Sequence, residues 1–372
     1  MGAKCTSMSG NYKEAKLRSE EIDRQLNQFA TQESNVSKML LLGTGESGKS
    51  TLVKQMKVIY NEGFSDEELL SFRPTILDNL LSSMKYTLAG MGLLRIRLES
   101  SRNKSAAKII LSHEPIRPVS ENETNYHYTL SETTIKALQA LWKDKGVRTA
   151  VIRGHEYELN DSALYLFENI DRITAEKYEP TVRDVLRARV RTNGVIETDF
   201  IACQGALRTR VLDAGISLTS ATPQWTIAKW MRCFEDVKGV IFVVSLSGYD
   251  MLKQTEPNIN RLQDSIELFR KISSNRYFQN CLMILFMNKM DLFRQKILYS
   301  KRHLRYYFSD FKGPDCNVDT AALFIQNRLL SVTQRPVFPH FITAVDTADV
   351  KAIFESVLNI VLKRNVEKYE LI

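Results

Sequence analysis

The chain has 372 residues, 44% hydrophobic and 25% charged, the balance of a soluble globular protein of about two domains. No stretch approaches the roughly 18 apolar residues of a membrane-spanning helix, and the opening residues are polar and show no signal-peptide pattern. The net charge of +8 is scattered rather than gathered in a stripe, which argues against nucleic acid as a partner and leaves an anionic membrane surface. Cys5, Cys203, Cys233, Cys281 and Cys316 are odd in number and widely spaced, so reduced cytosolic thiols are expected rather than a metal site or a disulfide framework.

The chain opens Met-Gly-Ala-Lys-Cys-Thr, in which Gly2 with Thr6 fits the N-myristoylation pattern. One myristoyl chain binds membrane only marginally, so a palmitoyl group on Cys5 would be the second signal; the alternative is that Cys5 is an unmodified thiol. Lys4, Lys13, Lys16 and Arg18 add basic charge nearby. From Gly10 to Thr31 the absence of proline and the abundance of Glu, Lys, Arg and Gln predict a helix. Its Ala15, Ile22, Leu26 and Phe29 form an apolar side that needs a partner or packs on the chain's own body.

Lys38 to Leu42 reads as a strand, and Thr51 to Tyr60 as a helix. Between them stands Gly43-Thr-Gly-Glu-Ser-Gly-Lys-Ser50, the phosphate-binding loop in its strand–loop–helix setting. Its glycines let backbone N–H groups turn inward around an anion, with the helix dipole behind them. Lys49 is expected at the β- and γ-phosphates, and Ser50 at Mg²⁺. The next segment is helix-like, notably Ile76 to Met91 and Thr133 to Trp142, with a polar stretch, Asn103 to Asn125, expected as a loop. Strand-like runs return near Val195.

Gly239 to Leu246 and Cys281 to Met287 have the length and composition of buried strands. Asn288-Lys289-Met290-Asp291 follows the second. A carboxylate there can accept both N–H donors on guanine's pairing edge, a donor pair that adenine lacks. Val337 to Thr343 reads as another strand; in GTPases, which this order of motifs resembles, the position after it presents a backbone N–H to the guanine oxygen, here expected to be that of Ala344, and a helix from Asp349 to about Lys368 closes the pattern.

With these motifs in order, the chain resembles a heterotrimeric G-protein α subunit over nearly its whole length. Leu159-Asn-Asp-Ser162, Asp184-Val-Leu-Arg-Ala-Arg-Val-Arg-Thr192, Cys233-Phe-Glu-Asp-Val237 and Asn288-Lys-Met-Asp-Leu-Phe293 carry the likeness together with the phosphate loop. The resemblance implies an α/β fold: a P-loop GTPase domain (37–60 and 184–372) built on a six-stranded, mostly parallel sheet with helices on both faces. It also implies an inserted all-helical domain (61–183) and an N-terminal lipid-anchored helix (1–36). GTP or GDP would be held by Gly43, Thr44, Gly45, Glu46, Ser47, Gly48, Lys49, Ser50 and Thr51. Further contacts would come from Asp161 and Ser162 across the cleft, from Leu186, Arg187, Arg189 and Thr192, and from Asp213, Gly215, Asn288, Lys289, Asp291 and Ala344. Arg189 would be the arginine finger, catalytic with Lys49, and Thr192 would join Ser50 on Mg²⁺. The implied partners are a βγ dimer, a seven-helix receptor at the C-terminal helix and an unidentified effector, at the cytoplasmic face of the plasma membrane. Tyr369 stands where some members carry the cysteine modified by pertussis toxin, so that modification is not expected.

One block departs from the family. Where its motif is Asp-Val-Gly-Gly-Gln, this chain has Asp213-Ala-Gly-Ile-Ser217. Ile216 replaces the glycine whose N–H meets the γ-phosphate, and a β-branched residue resists that backbone's freedom. Ser217 replaces the glutamine that orients the attacking water and is too short for the same geometry. Gln224 is a distant substitute, and Pro223 is expected to open a new helix capped by Thr222. The block up to Trp230 is several residues longer than in the family, and its basic residues are reduced to Lys229. Either the change is genuine and hydrolysis slow, or the block comes from an alternative or mispredicted splice junction; sequencing the transcript across codons 210–232 decides. A non-hydrolysing scaffold or βγ sequesterer remains the rival reading.

Overall fold

The computed structural model describes residues 14–25, 36–116, 128–190, 194–205, 207–215, 218–223, 226, 229, 234, 236–253, 256 and 258–370. Strands β1 (Val36–Leu42), β2 (Val195–Ala202), β3 (Leu207–Ala214), β4 (Val237–Ser245), β5 (Leu282–Asn288) and β6 (Phe338–Ile342) form one sheet. Their order is β2-β3-β1-β4-β5-β6. All neighbours are parallel except β2 and β3.

The central strands β4 and β5 are continuous apolar runs because both of their faces are covered. On one face Leu40, Leu42, Phe242, Val244, Met283 and Leu285 pack with helices Arg261–Ser273, Met290–Tyr299 and Val318–Leu330. On the other, Met39, Leu41, Ile241, Val243, Ile284 and Phe286 meet α1 (Lys49–Tyr60) and the last helix, Thr347–Glu370. That last helix buries Val350, Phe354, Val357, Leu358 and Val361, an i, i+4, i+7, i+8, i+11 stripe.

After the short helix α2 (Asp66–Ser71), which buries no residue, a separate core lies among helices α3 (Arg73–Leu93), α4 (Asn103–Ser112), α5 (Glu132–Lys143), α6 (Lys145–Ile152), α7 (Ala163–Glu168) and α8 (Ile170–Ile173). Ile76, Leu80, Met84, Leu138, Leu141 and Phe167 are its centre. Helix α4 corrects the expected loop. Ala106 and Ile110, one turn apart, are buried, and this narrow apolar side packs on α5 although most of the segment is polar. Residues 117–125 of that stretch lie outside the described residues. Helix α9 (Val182–Arg187) leads back to the sheet, its start fixed by a reciprocal capping box between Thr181 and Asp184.

Residues 14–25 are helical. Of the apolar side expected there, Ala15 and Ile22 are exposed, as is Leu17 at 65%; Leu26 and Phe29 are not among the described residues. No helix among the described residues is long and apolar enough to cross a membrane.

Candidate nucleotide-binding site

Four loops at the carboxyl ends of parallel strands converge: 43–48 after β1, 213–215 at the end of β3, Asn288–Asp291 at the end of β5, and 343–346 after β6. Open α/β sheets bind ligands at this edge. The loops line a cavity of about 580 Å³, closed on its far side by Asn160, Asp161 and Ser162 of the helical body.

The phosphate loop is shaped by its glycines. Gly43 and Gly48 have φ of 146° and 105°, and a Cβ on Gly48 would stand 2.1 Å from the Asn288 Nδ2. The loop then enters α1, with the Leu52 N–H donating to the Gly48 carbonyl at 3.1 Å. Lys49 Nζ is folded onto the loop's own carbonyls, Gly43 O at 3.0 Å and Thr44 O at 2.9 Å. Burial lowers its pKa to about 8, against a smaller opposing effect of Asp213. Ser47 keeps a buried hydroxyl that has no hydrogen-bond partner among the described residues.

Ser50 Oγ donates to Asp213 Oδ2 at 3.0 Å. This sets the hydroxyl expected at Mg²⁺ beside a buried carboxylate. Hard oxygen donors of this kind suit that ion, which keeps most of its water when bound. Thr192, the other expected metal ligand, lies outside the described residues.

Asn288 stitches the site. Its Nδ2 donates to the Ser47 carbonyl at 2.8 Å, and its Oδ1 accepts from the N–H of Lys289 at 2.7 Å and of Ala344 at 2.9 Å. The Ala344 N–H expected at the base is therefore paired with Asn288 here, as a buried N–H requires a partner. The same loop is held from α1 by Gln55, fully buried, whose Nε2 donates to the Ala344 carbonyl and whose Oε1 accepts from Thr347 Oγ1. Asp291 faces the cavity.

Lys289 Nζ crosses the cleft to Asp161 Oδ2 at 2.5 Å. Burial would raise the Asp161 pKa, but Lys289 and Lys296 hold it down to about 2. Ser162 Oγ donates to the Arg187 carbonyl at 2.9 Å. Arg187 stacks over Tyr165, and burial lowers its pKa. Leu186 and Arg189 also line the cavity. The Arg189 guanidinium is paired with Glu46 Oε1 at 2.5 Å, and Arg261 holds the other Glu46 oxygen at 3.2 Å.

Several residues that complete the site escape the motif reading, among them Lys54, Gln55, Asn79 and Arg261. Lys54 and Gln55 left a signal: they stand at i+4 from Ser50 and from Thr51 on α1.

The departing block is partly described. The Gly215 N–H donates to the Gly194 carbonyl at 2.7 Å. Leu218 is buried in the sheet core. Ser220 N–H donates to Asp264 Oδ1 at 3.0 Å and its hydroxyl to the same oxygen. Lys271 Nζ donates to the Ser220 carbonyl. Thr222 Oγ1 accepts from the Thr219 N–H at 2.9 Å; residues 224 and 225, from which a helix cap would accept, lie outside the described residues. Residues 226 and 229 are helical; Ile216, Ser217, Gln224, Trp225 and Trp230 lie outside the described residues.

A phosphate loop and a base-reading Asn-Lys-x-Asp at the carboxyl edge of this sheet, with a helical body beside it, define a P-loop GTPase. The sequence matches the family described as G-protein alpha subunit over residues 16–361. It is 43% identical to the guanine nucleotide-binding protein G(o) subunit alpha of Geodia cydonium, covering 99% of both chains. It is also 38% identical to a guanine nucleotide-binding protein subunit alpha of Pyricularia oryzae and to the alpha-1 subunit of Neurospora crassa, covering 98% of this chain and 99% of each relative. The chain belongs to the G-protein α-subunit family, whose members are GTP-binding GTPases of G-protein signalling.

Proposed function

We propose that this chain is a receptor-coupled α subunit in which nucleotide binding is intact and hydrolysis slow. The carrying observation is the convergence of the phosphate loop, Asn288–Asp291 and Ala344 on one cavity, beside a block that lacks the water-orienting glutamine. In this reading the loop N–H groups and Lys49 hold the phosphates, Asp291 takes guanine's two N–H donors, and the Ala344 N–H turns from Asn288 to the guanine oxygen. Ser50, Thr192 and, through water, Asp213 would hold Mg²⁺, which supplies charge neutralisation at the phosphates when bound. The Arg189 guanidinium leaves Glu46 to meet charge on the transferring group; such fingers contribute about 10³–10⁵ in rate in signalling GTPases.

We further assign 1–36, 61–183 and the remainder as anchor, helical domain and GTPase domain. The separate cores on either side of α9 support the last two. Acylation at Gly2 and Cys5, which lie outside the described residues, would hold the chain at the cytoplasmic face of the plasma membrane. The uncovered Leu17 and Ile22 suit a βγ dimer, and the last helix suits a seven-helix receptor; the effector is left open.

The test is a variant carrying Ile216→Gly and Ser217→Gln with the family's loop length. Single-turnover hydrolysis by the natural chain is expected to be at least about 10²-fold slower than by this variant, the usual cost of losing one transition-state contact. Similar rates would remove the claim.

The scaffold reading draws support from Ser220, which ties the block to helix Arg261–Ser273 through Asp264. Lys253 shares that carboxylate at 3.4 Å. Asp264→Ala leaves these donors without their acceptor, a cost of about 1–3 kcal/mol. Hydrogen exchange over 218–222 is expected to quicken in the GDP form; unchanged protection would show that the block is held by other contacts. A GTP-analogue-induced rise in Trp225 or Trp230 fluorescence favours the switch, and its absence the scaffold.

A further inference from the structure

The segment that carries Arg189 is held by an unusual set of contacts. Each backbone carbonyl from Val185 to Arg189 accepts a hydrogen bond from a side chain of another element. Lys54 Nζ donates to Val185 O and Ala188 O, both at 2.8 Å. Thr51 Oγ1 reaches Leu186 O at 3.4 Å, and Ser162 Oγ reaches Arg187 O at 2.9 Å. The fifth carbonyl belongs to Arg189 itself and accepts from Asn79 Nδ2 at 3.2 Å. Asn79 Oδ1 in turn accepts from the Arg189 N–H at 2.6 Å.

Asn79 thus takes both backbone polar groups of the proposed finger and, among the described residues, no other residue's. Orphan carbonyls at a helix end need partners, which accounts for Lys54 and Thr51 on the last turn of α9. It does not account for a two-point clamp on a residue past the helix. An amide that accepts from a residue's N–H and donates to its carbonyl grips the two peptide units on either side of that Cα, and so fixes the direction in which the side chain leaves the backbone. Asn79 sits on α3 in the helical body, whereas Lys54 and Thr51 sit on α1 beside the phosphate loop. The finger segment is therefore strapped between the two bodies.

We propose that Asn79 is a positioning residue for Arg189, setting the peptide from which the guanidinium reaches the transferring phosphoryl group. The proposal rests on the reading of Arg189 as the finger. The consequence is that the helical body contributes to hydrolysis through one side chain. Removing the clamp leaves the guanidinium present but its base free to rotate, and a misplacement of about 1 Å in a catalytic group can lower a rate by roughly 10²-fold.

The experiment uses the full chain loaded with GTP, in single turnover, as Asn79→Ala, Asn79→Asp, Arg189→Ala and the Asn79→Ala/Arg189→Ala double variant. Asn79→Ala is expected to slow hydrolysis by about 10-fold or more. Asn79→Asp keeps the acceptor for the Arg189 N–H and is expected to recover part of the loss. In the Arg189→Ala background, Asn79→Ala should have no further effect, because a residue acting through another loses its influence with it. An equal loss in both backgrounds overturns the proposal, since it marks a merely structural role. No loss on Asn79→Ala, where Arg189→Ala has one, overturns it while leaving the finger reading intact. No loss on Arg189→Ala overturns both. Amide exchange at Arg189 in the GDP-bound chain gives a readout independent of turnover: it should quicken in Asn79→Ala, and unchanged exchange also overturns the clamp.

Discussion

Replacing Gly48 by alanine is expected to lower GDP affinity by about 100-fold or more, whereas Gly45→Ala leaves it near that of the parent. At Gly48 two obstacles coincide. Its φ of 105° is one that L side chains rarely adopt, and its Cβ would stand 2.1 Å from the Asn288 Nδ2. Asn288 cannot yield without loosening its bonds to Ser47 O, Lys289 N–H and Ala344 N–H. Three hydrogen bonds, two of them buried and one part-buried, at about 1 kcal/mol each amount to roughly 3 kcal/mol, or about two decades in affinity. At Gly45 no protein atom lies within 4 Å of an added Cβ. Titration with a fluorescent GDP analogue, together with thermal melts to separate unfolding from weak binding, gives the comparison. Parent-like binding by Gly48→Ala would mean that Asn288 does not organise the loop.

The second large effect concerns the base. Asp291→Asn is expected to reduce affinity for guanine nucleotides by about 10³-fold and to raise that for xanthosine nucleotides. The carboxylate is acceptor-only and matches two N–H donors; an amide turns an N–H toward guanine's amino group and leaves a donor facing a donor. Sites built to hydrogen-bond a substrate reject mismatched analogues by about 10⁴–10⁵. Asp291 faces the cavity in the first turn of helix Met290–Tyr299, which leaves some of that discrimination to solvent and motivates the lower figure. Competition between GDP and xanthosine diphosphate on the two proteins reads the switch directly. Undiminished GDP binding by Asp291→Asn would place base recognition elsewhere.

The parts of the fold that were legible in the sequence are those with continuous apolar runs or fixed motifs. β4 and β5 are buried on both faces, so composition alone marks them, and the phosphate loop announces β1 and α1 on either side. Helix α4 was missed because its burial rests on Ala106 and Ile110 within a polar segment. In the site, motif residues were readable because backbone geometry demands them: Gly48 must be glycine where Asn288 packs. Asn79 and Arg189 are 110 positions apart, and nothing in local spacing relates them; only the packing of α3 beside the end of α9 does. The pairing of the Ala344 N–H with Asn288 was hidden for the same reason. Ser220 was unremarkable as sequence, and its place against Asp264 depends on a helix some forty residues later.

In the proposed reading, nucleotide binding rests on Gly43 to Ser50, Asn288 to Asp291 and Ala344, and turnover requires in addition Arg189 and the block after Asp213. The most direct test is one burst experiment on the purified full chain, in which stoichiometric binding of a non-hydrolysable GTP analogue and single-turnover release of phosphate from GTP are measured beside the Ile216→Gly, Ser217→Gln loop-restored variant. The expected result is equal binding with phosphate release far slower in the natural chain. Equal release, or failure of the natural chain to bind the analogue, would contradict the account.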